Sequence, residues 1–134
     1  MSYSMKEACT LTGMSYENLK FYCNEGLVPN VKRDSRNYRI FSEHDIKWIQ
    51  SLNCLKGCGM AIAEMKEYLA LCLEGESSIP ARKEILSRKK EALLQSIQEL
   101  QKSIDYIDWK QNFYEDVLSG KTKYYSNLIQ DTDS

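Results

Sequence analysis

The chain has 134 residues, 43% of them hydrophobic and 28% charged, with a formal net charge of −1, the composition of one soluble globular domain. No apolar run reaches membrane-spanning length and the segment Met1 to Glu7 lacks the apolar core of a secretion signal, so a cytoplasmic chain without a membrane partner is expected. The near-neutral total hides an asymmetry: residues 1–66 carry 9 Lys/Arg against 7 Asp/Glu, and residues 67–134 carry 9 against 12.

Ser4 is placed to cap a short helix over Met5–Thr12, with Ala8, Cys9 and Leu11 as its apolar face and Gly13 ending it in a left-handed conformation. Ser15 caps a second helix to about Glu25, which buries Leu19, Tyr22 and Cys23 and closes at Gly26. Two short helices joined by a tight turn make a helix-turn-helix, the arrangement that lays its second helix in a major groove. Taken alone this is a weak signal, since many helical hairpins bind nothing. The segment Val28 to Phe41 changes character: Pro29 stops any helix, and Val31 with Tyr38, Ile40 and Phe41 predicts two short strands around the polar turn Arg33 to Asn37. Lys32, Arg33, Arg36 and Arg39 beside Tyr38 give this wing a basic tip suited to a phosphate backbone. Screening limits each charge to about 8–10 Å, so a local basic surface works whatever the total; a solvated surface of mixed charge explains the same residues.

Ser42 with Asp45 three residues on forms a capping-box-like start for a third helix, whose Ile46, Ile49, Leu52 and Leu55 make a core face before Gly57 and Gly59. A fourth helix from Ile62 to about Leu73 buries Ile62, Met65, Leu69 and either Cys72 or Leu73; its cap position is Ala61, which forfeits roughly 1 kcal/mol relative to Ser or Thr. Gly75 breaks it, and Ser78 with Pro80 starts a long helix over residues 81–118. Along that helix Leu86, Leu93, Leu100, Ile107 and Tyr114 form one track and Ile97, Ile104 and Leu118 a second, broken by Lys90 and Gln111. The average step of 3.5 residues keeps a narrow seam on one side of a rod roughly 55 Å long, too long for the rest of the chain to cover. The simplest partner is a second copy of the same helix. After Gly120 a short polar tail containing tyrosines is expected to fray or lie back on the head.

The five cysteines, at 9, 23, 54, 58 and 72, are an odd number with no paired CxxC motifs and no Cys/His array, which disfavours a disulfide framework and a metal site. The single His44 has no recognisable nucleophile partner and there is no phosphate-binding glycine loop, so neither an enzyme nor a cofactor is expected.

The order Leu19-Lys20-Phe21-Tyr22, Glu25-Gly26-Leu27, Pro29, Asn37-Tyr38-Arg39-Ile40-Phe41, Asp45-Ile46 and Leu55-Lys56 ahead of Gly59 resembles the head of MerR-family transcription regulators, and with the long helix the likeness covers about residues 2–118. The resemblance implies a mainly α fold: a winged helix-turn-helix head over residues 1–76, a dimerisation helix over 77–119 that pairs antiparallel in a coiled coil, and a tail over 120–134. It implies a homodimer on double-stranded promoter DNA that bends and untwists an overlong spacer for RNA polymerase. The family's DNA contacts fall on Lys20, Tyr22, Tyr38, Arg39 and Lys56, with Ser15, Tyr16 and Asn18 at the start of the recognition helix; Phe21, Arg33 and Arg36 belong to the same surface. Lys20 stands where the family usually has Arg, Phe21 where it has Tyr, and Asn37 where it has Gly; Lys lacks the bidentate fork and Phe a hydroxyl, which alters the operator expected.

The stretch Glu74 to Arg82 is similar to the branch of the family that answers aldehydes, electrophiles and thiol stress, which implies a sensing cysteine in the third helix at Cys54. Cys58 follows four residues later and faces the same side if the helix persists past Gly57. Each is also readable as a small buried hydrophobe, Cys58 more readily than Cys54, and Cys9, Cys23 and Cys72 most readily of all. Two further classes share parts of the pattern: a DNA-architectural or excisionase-like winged protein, and a coiled-coil interaction module that binds no DNA.

Overall fold

A computed structural model describes residues 1–129 of the chain. Its contacts divide the chain into two compact units, Met1–Glu91 and Ala92–Ser134. The first contains β1 (Ser2–Ser4), α1 (Met5–Thr12), α2 (Tyr16–Asn24), β2 (Lys32–Arg33), β3 (Arg39–Ser42), α3 (Glu43–Gly57), α4 (Ile62–Glu74) and a 3-10 turn at Glu76–Ser78. α5 (Ile79–Leu118) starts in the first unit and continues through the second.

Local side-chain chemistry sets most of the boundaries. Ser4 Oγ accepts from Glu7 N at 3.1 Å while Glu7 Oε1 accepts from Ser4 N at 2.9 Å, a complete capping box whose bonds hold the Glu7 carboxyl below its ordinary range. Ser15 caps α2 through Asn18 N at 3.2 Å, and Ser42 and Asp45 exchange a second capping box at the start of α3. Gly13 takes φ +73° at the end of α1, a conformation that a Cβ would oppose. α4 has no side-chain cap at Ala61, but Glu64 Oε1 accepts from Ala61 N at 3.1 Å, the other half of a capping box.

The sheet has the order β1-β3-β2 and is antiparallel throughout, with Tyr3 opposite Phe41 and Arg33 opposite Arg39. β1 is an element that the sequence reading lacks: three residues carry too little alternation to announce a strand, and the pairing exists because β3 offers an edge. Tyr3 Oη donates to the Glu43 carboxylate, which raises the phenol's pKa and ties this strand to α3. The core gathers Leu19, Leu27, Phe41, Ile49, Leu52 and Met65, with Ala8, Tyr22 and Ile46 around them. Trp48 is half-buried beside it and donates Nε1–H to Leu27 O at 2.7 Å, joining α3 to the loop after α2.

Two expectations need correction. Leu11 is 48% exposed, because Ala8 and Thr12, one turn apart, occupy the inward face of a two-turn helix and Met14 fills the space below. On α4 only Met65 is fully buried; Cys72 is half-buried and Leu73 is 65% exposed, which decides between the two. After Gly120, Tyr125 packs against Phe113 at 5.0 Å between ring centroids, and Lys121 N donates to Asp116 O at 2.8 Å. The last five residues of the expected tail lie outside the described residues.

The burial difference between Leu11 and Leu19 gives a direct check. Leu19→Ala should cost about 2–5 kcal/mol in urea unfolding, whereas Leu11→Ala should stay within about 0.5 kcal/mol of the parent. Equal losses would contradict the assignment of the two faces.

Candidate nucleic-acid interface

The geometry of α2 follows from its two faces. Leu19 and Tyr22 point into the core, so Tyr16, Glu17, Asn18, Lys20 and Phe21 face solvent, with Tyr16 57% and Phe21 47% exposed. Ser15 is exposed at the cap, where the first N–H groups of the helix carry partial positive charge. Tyr22 sits differently from the other expected contacts: it is 3% exposed, and burial raises the pKa of its hydroxyl.

The wing turn is built around one carboxylate. Asp34 Oδ1 accepts from Arg36 N and Tyr38 N, each at 2.9 Å, and the backbone closes the loop through Asp34 N to Tyr38 O and Asn37 N to Asp34 O, also at 2.9 Å. Asn37 adopts φ +67°, the left-handed position that Asn tolerates better than most residues. Arg33 Nη1 donates to Asn37 O at 2.9 Å, leaving its remaining donors outward. Tyr38 is 67% exposed, a large aromatic that no packing requirement holds in the open.

Arg39 connects the two parts. Its Nη2 donates to Asn24 Oδ1 at 2.6 Å, fixing the base of the wing to the last turn of α2. A concave surface of about 380 Å³ between wing and helices brings together Lys6, Tyr16, Arg33, Tyr38 and Arg39. Lys6 and Asn24 were missed by sequence reasoning: Lys6 is one of several scattered lysines, and the Asn24 contact spans 15 residues with no local signature. Arg36 is exposed at the wing tip. Lys56 is exposed on the last turn of α3 and shares none of these contacts or this surface. The arrangement offers cations, two aromatics and a helix N-terminus along one surface, chemistry suited to phosphates and base edges.

The cysteines fall into distinct environments. Cys54 is exposed on α3, and Cys58 is half-buried as the residue that caps the helix, its N–H donating to Cys54 O at 3.1 Å. The helix runs to Gly57, and Cys58 follows it with αR backbone angles, φ −79° and ψ 0°. Burial raises the Cys9 thiol and, against the opposing field of Arg39, the Cys23 thiol. Among the described residues no cluster of His, Cys, Asp and Glu has the geometry to hold a metal ion, and no helix is long and apolar enough to cross a membrane.

The model of the MerR HTH family regulatory protein matches residues 3–72, and that of the MerR DNA-binding region matches residues 46–109. An uncharacterized HTH-type transcriptional regulator of Haemophilus influenzae is 32% identical over 115 residues, covering 86% of this chain and 85% of that protein. The HTH-type transcriptional regulator AdhR of Bacillus subtilis is 36% identical over 83 residues, 62% of this chain and 59% of its own length. Among solved structures, HiNmlR, a MerR-family regulator lacking the sensor domain and bound to promoter DNA, superposes with a TM-score of 0.75 at 30% identity, covering 91% of this chain and 92% of that one. The N-terminal part of the Bacillus subtilis multidrug transporter activator, MtaN, superposes at 0.63 with 27% identity, covering 81% and 97%.

Proposed function

The chain belongs to the MerR family of helix-turn-helix transcriptional regulators, which are not enzymes, and on that premise we propose that it acts in the cytoplasm as a homodimer that reads and distorts promoter DNA. The observation that carries the dimer is the state of α5. Leu86, Leu93, Ile97, Leu100, Ile104, Ile107, Tyr114 and Leu118 lie on one stripe and are between 41% and 88% exposed. Even half-burial, at about 1 kcal/mol per side chain, across the seams of two copies is enough to offset the ~4–15 kcal/mol cost of association. The stripe drifts by ~20° per heptad, as a left-handed coiled coil requires. Antiparallel pairing of residues 77–119 sends the two heads of residues 1–76 to opposite ends of one rod, from which both engage the same duplex.

Within each head, Arg33, Tyr38 and Arg39 take phosphates beside α2, while Ser15, Tyr16, Asn18 and Lys20 meet the groove, and Arg36 and Lys56 add outlying backbone contacts. Phe21 supplies apolar contact, and Tyr22 contributes mainly by packing under the reading helix. Bending a site by 40–90° costs on the order of 1–6 kcal/mol, which two sets of charge-assisted contacts can offset. RNA polymerase then engages the distorted promoter. Support for DNA as the partner comes from HiNmlR, whose structure is of a regulator bound to promoter DNA. The exposure of Cys54 supports an electrophile- or oxidant-responsive thiol on the helix that follows the wing, with Cys58 as its half-buried neighbour.

Two measurements test this reading. Arg39→Ala should weaken binding to a selected operator and to nonspecific duplex alike, and flatten the salt dependence of log K by about one unit in gel-shift titrations; an unchanged salt slope would remove Arg39 from the interface. Cys54→Ser should abolish the change in promoter output on adding an aldehyde or hydroperoxide while leaving binding of the untreated protein intact, and a normal response in that variant would end the sensor assignment.

A further inference from the structure

At the junction of α4 and α5 the chain reverses direction through Gly75, whose φ of +89° and ψ of −155° are open to glycine alone. The carbonyls exposed there are those that every helix leaves without intrahelical donors. Ser78, only 5% exposed, turns its hydroxyl into this end of α4, its one proton shared between Leu71 O and Gly75 O. Arg82, one turn into α5, spreads its guanidinium over the same spot: Nη2 donates to Gly75 O at 2.7 Å, Nε to Ser78 Oγ at 2.9 Å, and Nη1 lies 3.9 Å from Cys72 Sγ. All three guanidinium nitrogens are engaged, and the positive charge sits at the negative end of the α4 dipole.

A second tie lies two turns further along. Lys89 Nζ is 2.6 Å from Glu64 Oε2 at the start of α4, and between the two ties Ile85 packs against the head's core. The ties differ in kind. The Lys89–Glu64 pair is a point charge on a flexible stem facing a partly exposed carboxylate, screened by salt and tolerant of angle. Arg82 is a planar fork on backbone carbonyl and hydroxyl, and its contact is lost when the helix rotates or tilts by a fraction of a turn.

We propose that Arg82 is a positioning residue for regulation: it fixes the angle at which the first turns of α5 lie on α4, and so sets how far bound DNA is distorted independently of how tightly the reading surface holds it. This rests on the reading of the chain as a DNA-distorting dimer. Arg82 touches none of the α2 and wing residues, so its loss leaves the reading surface intact. Cys72, half-buried in the grip, reports whether the grip is closed.

The full chain with Arg82→Met, which keeps length without charge or donors, and with Arg82→Lys, which keeps charge without the fork, is compared with the parent on a duplex that the parent selects from a random pool. Affinity should stay within about twofold, since the contacts that carry the salt slope are unchanged. Bending, read by energy transfer between dyes on the duplex ends, should fall, more for Met than for Lys. Alkylation of Cys72 by iodoacetamide, mapped by mass spectrometry against exposed Cys54 as the reference, should speed up in the same order. Parental bending together with parental Cys72 labelling in both variants overturns the proposal, as does a loss of bending that merely tracks a loss of affinity. If the parent selects no duplex, the functional reading fails on its own, and Cys72 labelling still decides whether Arg82 closes the junction.

Discussion

Everything in this molecule that the head alone does not explain follows from one constraint: α5 carries a narrow stripe of leucine and isoleucine that remains exposed among the described residues. A helix gains most of its stability from packing an apolar face, and a stripe with a 3.5-residue period is suited to a second helix of the same kind rather than to a broad core. The side chains between the seam positions are mostly charged or polar, which leaves the stripe as the chief apolar surface from Leu86 to Ile107. A pairing of two such helices fixes a distance, and a fixed distance between two reading heads is what makes a regulator sensitive to promoter geometry as well as to base sequence.

The head is built to hold a basic hairpin rigidly beside a short helix. Asp34 spends its carboxylate on the backbone of its own turn, Arg39 ties the base of that turn to Asn24, and the β1–β3 pairing anchors the other edge. These are polar bonds at the surface, individually worth about 1 kcal/mol, and their value lies in direction. They leave Tyr38, Arg36 and the outer donors of Arg33 free at the end of a stiff support, while the hydrophobic core beneath, from Leu19 to Met65, carries the stability. At the other side of the head, Arg82 and Lys89 hold the first turns of α5 to α4.

How much of this could be read from residues alone depended on the range of the interaction. Caps and turns act over three or four residues, and Ser4, Gly13, Ser15, Ser42, Asn37 and Gly75 all mark the boundaries expected of them. The core faces of α3 and the stripe of α5 were legible because periodicity extends over several turns. Where an element is only two turns or three residues long the pattern has no statistics: Leu11 faces outward and β1 went unread. Long-range partners left no trace either, so Asn24 as the anchor of Arg39, Lys6 beside the wing and the Arg82 grip on Gly75 needed coordinates. The basic character of the wing was legible because its chemistry is local, four basic residues and a tyrosine on one hairpin.

The central claim is that the stripe of α5 is filled by a second copy. Sedimentation equilibrium of the full chain at micromolar concentration and moderate salt measures this directly. The account predicts a mass of about twice 15.6 kDa, reverting to a single chain when Leu100 and Ile104 are both replaced by lysine. A parent protein that sediments as a single 15.6 kDa chain with its helix content intact would contradict it.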